Sequence, residues 1–580
     1  MTKVPALHPV KQGTFKDLVR RWPSYVAKLW AFRLPIVASL FLLSPVLVYD
    51  VALSVQNGRG VDKLSLFAIP ASILWLIAAH SLFRRVWIAT LLLFPFYVIT
   101  AIELFLITKY DTRLTSSAIS VMLENAHHGI DFGRAQTPVL AISFVSLLAS
   151  FAVFGYGTRR LEVHTWRPFQ LAISGLLLVY ISVAVHRIVV LGDLGTGIMD
   201  VVAHDRNSPF GVVPQSYIAY RVFEDAIEHQ RRASSFSFGA VRSREFQKPE
   251  IYVLVIGESA RRDHWSLFGY QKPTTPNLSK IPGLVPLQNM VTQAALTQIS
   301  VPLILSRRSV DSPEEGLNEK SIISAFKEAG FVTFWLSTQQ RDQWTGAINR
   351  YTGEADHVRF FERRHDGVLV DAMKSALQDH RQGQNLFFVL HTQGSHFVFR
   401  DRYPADIAPF SNSESSANKL VAEYDNSIAY TDRVLSALIE LLKEWQGSSG
   451  LFYVADHGEN LYDDDRNLFG HMLNNEYDMP IPAFLWLSDS YAKQAPEKLA
   501  AAHRNAVKPL NTRVVFSTLA CLAGIKIPGM DLSKLSLVND GMEVVPRMFL
   551  KHGQFMDFDK WMLSRSKQRD AEHPSPWVFP

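Results

Sequence analysis

Hydrophobic and polar positions divide the chain into two regimes. In the first part, apolar residues run in stretches long enough to cross a bilayer core, which takes about 20 residues. Five such stretches lie at 34–54, 64–83, 86–108, 138–158 and 168–191. Only Arg84 and Arg85 separate the second from the third, which predicts a tight helical hairpin. From Ile251 the pattern changes to short β-rich runs at 251–256, 332–336, 386–390, 451–455 and 483–487. Candidate helices at 320–329, 366–380 and 417–445 fall between them. Strands alternating with helices predict a mostly parallel sheet covered on both faces. The expected organisation is therefore a helical membrane domain of five spans over 1–191, a linker with interfacial helices over 192–247, and an α/β domain over 248–580.

Basic residues orient the spans, because loops rich in Lys and Arg stay cytoplasmic. Lys3, Lys11, Lys16, Arg20, Arg21, Lys28 and Arg33 precede the first span, and Arg159, Arg160 and Arg167 lie between the fourth and fifth. With Arg84 and Arg85 they mark alternate loops as cytoplasmic. Five spans from an inside N-terminus then put the C-terminal domain across the membrane, outside the cytoplasm. The first apolar run has no small-residue cleavage site and reads as a permanent span rather than a signal peptide. Glu103 falls inside the third run, where an ionisable residue is a functional candidate or one that reaches the headgroups. Ser116, Ser120 and Glu124 share one face of an amphipathic stretch in the loop 109–137.

Composition narrows the classes. The 580 residues carry 59 basic and 54 acidic side chains, a formal +5, without a dominant basic patch in the soluble half, so no nucleic-acid partner is expected. Cys521 is the one cysteine, so no internal disulfide can form, and the soluble half must fold on core burial and metal.

The chemistry gathers at strand ends, where parallel sheets bind ligands. The run 251–256 leads into Gly257, Glu258 and Ser259; the run 386–390 into His391 and His396; the run 451–455 into Asp456 and His457. Two carboxylates and an imidazole suit zinc, with a fourth position left for a nucleophile or substrate. Taken singly, each has a structural reading: a helix-capping carboxylate at Glu258, a structural Asp-His pair, a hydrogen-bonded His396. Their joint placement weakens those readings.

Val255-Ile-Gly-Glu-Ser-Ala-Arg261, with Ser266-Leu-Phe-Gly-Tyr270 and Thr274-Thr-Pro-Asn277, resembles the opening of the catalytic domain of bacterial inner-membrane phosphoethanolamine transferases. These belong to the alkaline phosphatase/sulfatase-like superfamily. Thr297-Gln-Ile-Ser-Val-Pro302, His391-Thr-Gln-Gly-Ser-His396, Arg402-Tyr-Pro404, Tyr424-Asp-Asn426, Tyr453-Val-Ala-Asp-His-Gly-Glu459 and Gly470-His471 continue the resemblance in order along essentially the whole chain. It implies that Glu258, Asp456 and His457 bind zinc, with Thr297 as nucleophile and fourth ligand. It implies that His396 and His471 hold the transferred phosphate, and that Glu124, Ser116 and Ser120 meet the lipid donor. The implied reaction moves phosphoethanolamine from phosphatidylethanolamine, in the bilayer, to lipid A, lipopolysaccharide core or another envelope acceptor, with a monomer as the expected state. The lipid A branch usually carries disulfides, absent here. Trp335-Leu-Ser-Thr-Gln-Gln340 is closer to the branch that modifies core sugars.

Three rivals remain in view. A sulfatase needs a C/S-x-P-x-R motif, and Ser300-Val-Pro302 is followed by Ile304 where Arg is required. A phosphoglycerol transferase would differ in donor headgroup, and a non-catalytic binding module would not need the full apparent ligand set.

Overall fold

The computed structural model describes residues 231–572, apart from short internal stretches of which 340–347 is the longest, and isolated helical positions between Trp87 and Gly175. Those isolated positions aside, the five apolar runs expected to span, Glu103, and the loop with Ser116, Ser120 and Glu124 lie outside the described residues. Among the described residues, no helix is long and apolar enough to cross a membrane. The chain divides into two compact units, and Ala219–Pro580 falls in the second.

The second unit is built on a seven-stranded sheet. Its centre is β1 (Ile251–Gly257), whose seven residues are all buried. A strand buried on both faces has no polar side to present, which is why this one reads as an unbroken apolar run. The other sheet strands are β2 (Leu284–Pro286), β4 (Val332–Ser337), β5 (His357–Phe360), β6 (Leu386–His391), β7 (Ser449–Ala455) and β10 (Ala483–Leu487), with β3 (Asn289–Val291) pairing outside it. Their order is β2-β10-β7-β1-β6-β4-β5. β7, β1, β6, β4 and β5 are mutually parallel, with Ile256 level with His391 and Gly257 level with Ala455.

β10 departs from the expected alternation. It runs antiparallel to β7, with Ala483 opposite Val454. Among the described residues no crossover helix separates the two strands, and a parallel return requires one. The connection instead carries the small hairpin of β8 (Asn460–Leu461) and β9 (Phe469–Gly470).

Helices cover both faces. α2 (Ile322–Glu328) lays Phe326 on Phe387, ring centroids 3.8 Å apart. Phe388, the next residue on β6, stacks on Phe334, which meets His380 at the end of α3 (Val368–Asp379) edge-on. Consecutive strand residues face opposite sides, so α2 and α3 lie on opposite faces. α4 (Ser416–Lys443) packs beside α3 and buries Tyr424, Ile428, Leu435, Leu438 and Leu442 at helical spacing. α1 (Thr297–Leu305) and α7 (Val514–Leu522) are almost wholly buried, unlike α5 (Asp489–Gln494) and α6 (Pro496–Asn505). After β11 (Pro509–Asn511), the chain ends in a hairpin, β12 (Met548–Lys551) and β13 (Gln554–Asp557), and α8 (Phe558–Glu572). Phe549, Phe558 and Trp561 there form a second core with Val291, Ala295 and Met479.

Candidate active site

Two strand ends and one helix start meet beyond the carboxyl edge of the sheet. Gly257 closes β1, and a Cβ there would run into the Tyr453 ring. Glu258 follows, 1% exposed, and Ser259 turns the chain at φ 52°. α4 holds this strained turn: the Tyr424 hydroxyl donates to Ser259 O (2.7 Å) and accepts from Arg261 N (2.9 Å). The next residues of α4 brace the loop beyond it, Asp425 through His264, Tyr270 and Lys272, and Asp432 through the amides of Asn277 and Leu278.

At the end of β7, Asp456 Oδ1 accepts from the amides of Ser259 (3.1 Å) and His457 (2.7 Å). His457 is fully buried, and its Nδ1 lies 2.8 Å from the Gly458 carbonyl. A carbonyl can only accept, so the proton sits on Nδ1 and Nε2 carries the lone pair. Burial also holds this imidazole below its ordinary pKa, which keeps it neutral and fit to bind a cation.

Thr297 is the first residue of α1. Its Oγ1 lies 3.1 Å from His457 Nε2 and 3.4 and 3.3 Å from the two Glu258 oxygens. No side chain caps this helix, so its first-turn amides and its positive end are directed at whatever anion joins Thr297.

Glu258, Asp456 and His457 each offer one ligand atom, all within 4.8 Å of one another. A buried carboxylate oxygen normally has a partner, yet Asp456 Oδ2 has no hydrogen bond. An oxygen, oxygen and nitrogen set with one unpartnered buried atom fits a zinc ion.

Glu459 closes the run Tyr453–Glu459, but the sequence alone assigns it no role. The β8–β9 pairing puts Gly470 opposite Asn460 and so brings His471 back to it, Nδ1 3.0 Å from Glu459 Oε2. The His471 ring lies 4.2 Å from that of His457 and 6.3 Å from that of His396. The His396 Nδ1 contacts the Phe397 carbonyl at 2.7 Å, leaving Nε2 as its proton acceptor. Glu258, Thr297, Asp456, His457, His396 and His471 thus converge.

Burial shapes the charges. It pushes the Glu459 carboxyl up to about 8 and, with the neighbouring Asp456 charge, holds Glu258 well above the usual range. It drops His391 and His471 to about 4. A carboxyl raised on folding gives stability at low pH that is lost as pH rises through its folded pKa. The lowered histidines act oppositely, giving stability that is lost as pH falls from 6.5 toward 4. Above pH 6.5 these lowered histidines no longer contribute, while Glu459 still titrates. Protein stripped of metal should therefore lose stability between pH 6.5 and 8.5, by about 2 kcal/mol for Glu459 alone. Added zinc should reverse that slope, because binding releases those protons. Thermal midpoints across this range check it; a flat or rising metal-free midpoint would show the carboxyls already ionised.

Comparison with known proteins adds four likenesses. The sulfatase family profile matches residues 250–525. The Kdo(2)-lipid A phosphoethanolamine 7''-transferase of Escherichia coli K12 is 29% identical over 271 residues, 43% of this chain and 46% of its own. The crystallised C-terminal periplasmic domain of EptC from Escherichia coli, in complex with Zn, aligns at TM-score 0.50 and 25% identity over 55% of this chain and 95% of that one. The integral membrane lipooligosaccharide phosphoethanolamine transferase A of Neisseria meningitidis is similar in fold, at TM-score 0.64 and 18% identity over 87% of this chain and 97% of that one. The chain spans about half the length of the curated relatives it matches.

Proposed function

We propose that the chain, whose residues 250–525 match the sulfatase family profile and whose relatives are named phosphoethanolamine transferases, transfers phosphoethanolamine from phosphatidylethanolamine to a lipopolysaccharide-type acceptor through Thr297. One observation carries the reading: a threonine hydroxyl at an uncapped helix start, 3.1 Å from the Nε2 lone pair of a neutral histidine, beside two buried carboxylates.

Glu258, Asp456 and His457 would hold zinc, with Thr297 completing the set. When bound, the ion supplies a Lewis acid that lowers the pKa of the threonine hydroxyl and neutralises phosphoryl charge. Thr297 Oγ1 forms a bond to the donor phosphorus as the bond from phosphorus to the diacylglycerol oxygen breaks, and the hydroxyl proton passes to diacylglycerol. The covalent phosphoethanolamine–threonine then yields to an acceptor oxygen, whose proton returns to Thr297. His396, its Nδ1 against the Phe397 carbonyl, and His471, neutral through burial, hold the phosphoryl oxygens and relay these protons. The first-turn amides of α1 stabilise charge developing there.

The five apolar runs support an enzyme of the bacterial inner membrane, with 1–191 spanning and 248–580 in the periplasm. Ser116, Ser120 and Glu124 would meet the lipid donor, as the resemblance implies. The name of the Escherichia coli K12 relative supports an acceptor in the lipid A region.

The test is release of diacylglycerol from fluorescent-tailed phosphatidylethanolamine by membranes containing the chain. Chelator-sensitive release is expected, and none from phosphatidylglycerol. Release from phosphatidylglycerol alone would replace the proposed headgroup, and release unaffected by chelator would remove the metal.

A further inference from the structure

The block Trp335 to Gln340 marked a branch in the sequence but gave no chemistry. In the structure its end reaches the site. Gln339 follows β4 and is buried. Its Nε2 lies 3.0 Å from Glu258 Oε2 and 2.9 Å from the Thr392 carbonyl. Both partners are acceptors, so the amide must turn its NH2 toward them, and the oxygen–nitrogen assignment is fixed by the network. Both of its protons are used.

The adjacent Thr338 grips the same segment. Its hydroxyl accepts from Gln393 N (3.0 Å) and donates to Asp366, whose carboxylate also accepts from the amides of Gln393 and Gly394 at 2.9 Å. Ser395 N donates to Glu258 O at 2.9 Å. Gly394, at φ 48°, passes so close that a Cβ would sit 2.7 Å from that oxygen and 2.8 Å from the Glu258 amide. The segment leading to His396 is therefore pressed against the backbone of Glu258, and Gln339 ties it to the Glu258 carboxylate as well.

Glu258 Oε1 is already held by the Ser259 hydroxyl at 2.8 Å. A carboxylate fixed through one oxygen can still rotate about its last bond, and a second donor on Oε2 stops it. We propose that Gln339 is the positioning residue that locks Glu258 in its metal-binding orientation and in register with His396. This rests on Glu258 being a zinc ligand. Outer donors of this kind are worth about 10–100-fold in metal affinity.

The test is zinc affinity of the full chain in detergent, by competition with a chromogenic chelator at one pH, for wild type, Gln339→Met and Gln339→Glu. Both variants match glutamine in size and remove the NH2. We expect affinity to fall about 10–100-fold in each, with the metal-free thermal midpoint of Gln339→Met unchanged. Affinity within twofold of wild type in a folded variant would overturn the proposal, as would a lowered midpoint with intact affinity, which is the mark of a merely structural amide. If Gln339→Met does not fold, Gln339→Glu decides. A wild type that binds no zinc would instead defeat the functional reading on which this one rests.

Discussion

Thr297→Ala should abolish turnover, lowering kcat by about four to six orders of magnitude, the usual loss when a nucleophile that works as part of a unit is removed. Among the described residues, no neighbouring hydroxyl is placed to substitute. Ser259 Oγ is committed to Glu258 Oε1, and Ser300 Oγ donates to the Asp456 carbonyl at 2.6 Å. The fold should survive, because alanine is the best helix former at the start of α1 and no helix cap is lost with the threonine. Glu258, Asp456 and His457 remain, so the variant should still bind zinc. The decisive measurement is covalent labelling with headgroup-radiolabelled phosphatidylethanolamine: wild type labelled on the peptide containing Thr297, Thr297→Ala blank at equal zinc content. Label persisting in the variant would move the nucleophile elsewhere. Label absent from wild type, despite diacylglycerol release, would replace the two-step transfer with direct attack by acceptor or water.

What could be read in advance follows from how each feature is encoded. β1, β4, β6, β7 and β10 are continuous apolar runs, and all appear within one or two residues of the expected bounds. Since ligands gather beyond such strand ends, Glu258, Asp456 and His457 were legible as a group from their place in the chain. Short edge strands were not: β2 and β5 have three and four residues, too few to establish a period. α1 was recognised only as a motif. Its residues from Ser300 to Leu305 are all buried and Pro302 sits inside it, so it shows no amphipathic pattern.

The residues missed around the site depend on contacts between distant segments. Glu459 acquires a role only when the β8–β9 hairpin returns His471 to it. Asp366, just before α3, looks like a helix-start carboxylate, yet its oxygens hold residues 393 and 394. Gln339 touches Glu258 across 81 positions. Hydrophobic period fixes which elements form, while polar pairs between strand ends are set by sheet order, which no local pattern carries.

That division also separates what the site does for folding from what it does for chemistry, and Asp456→Asn should expose it through changes of opposite sign. Asp456 Oδ1 accepts two amide hydrogens, a role the Asn carbonyl can keep. Oδ2 has no hydrogen-bond partner and lies 3.3 Å from His457 Nε2, whose lone pair faces it. In the variant an amide NH2 stands at that point and can donate to Nε2. The change also removes one negative charge from a pocket that buries Glu258 and Glu459 as well. Replacing an uncompensated buried charge by a hydrogen-bonded neutral group should stabilise the metal-free protein by about 1–3 kcal/mol, or a few degrees in its main unfolding transition. The ligand set, however, is broken. Wild type should gain about 4 kcal/mol at zinc a thousandfold above its Kd, and Asp456→Asn should gain almost none and release no diacylglycerol. Calorimetry with chelator and with zinc reads both effects in one pair of scans. A metal-free variant less stable than wild type would show that Asp456 has a partner that matters to the fold. An intact zinc shift would show that the ion binds elsewhere, with the alternative cluster of His457, Glu459 and His471 the place to look.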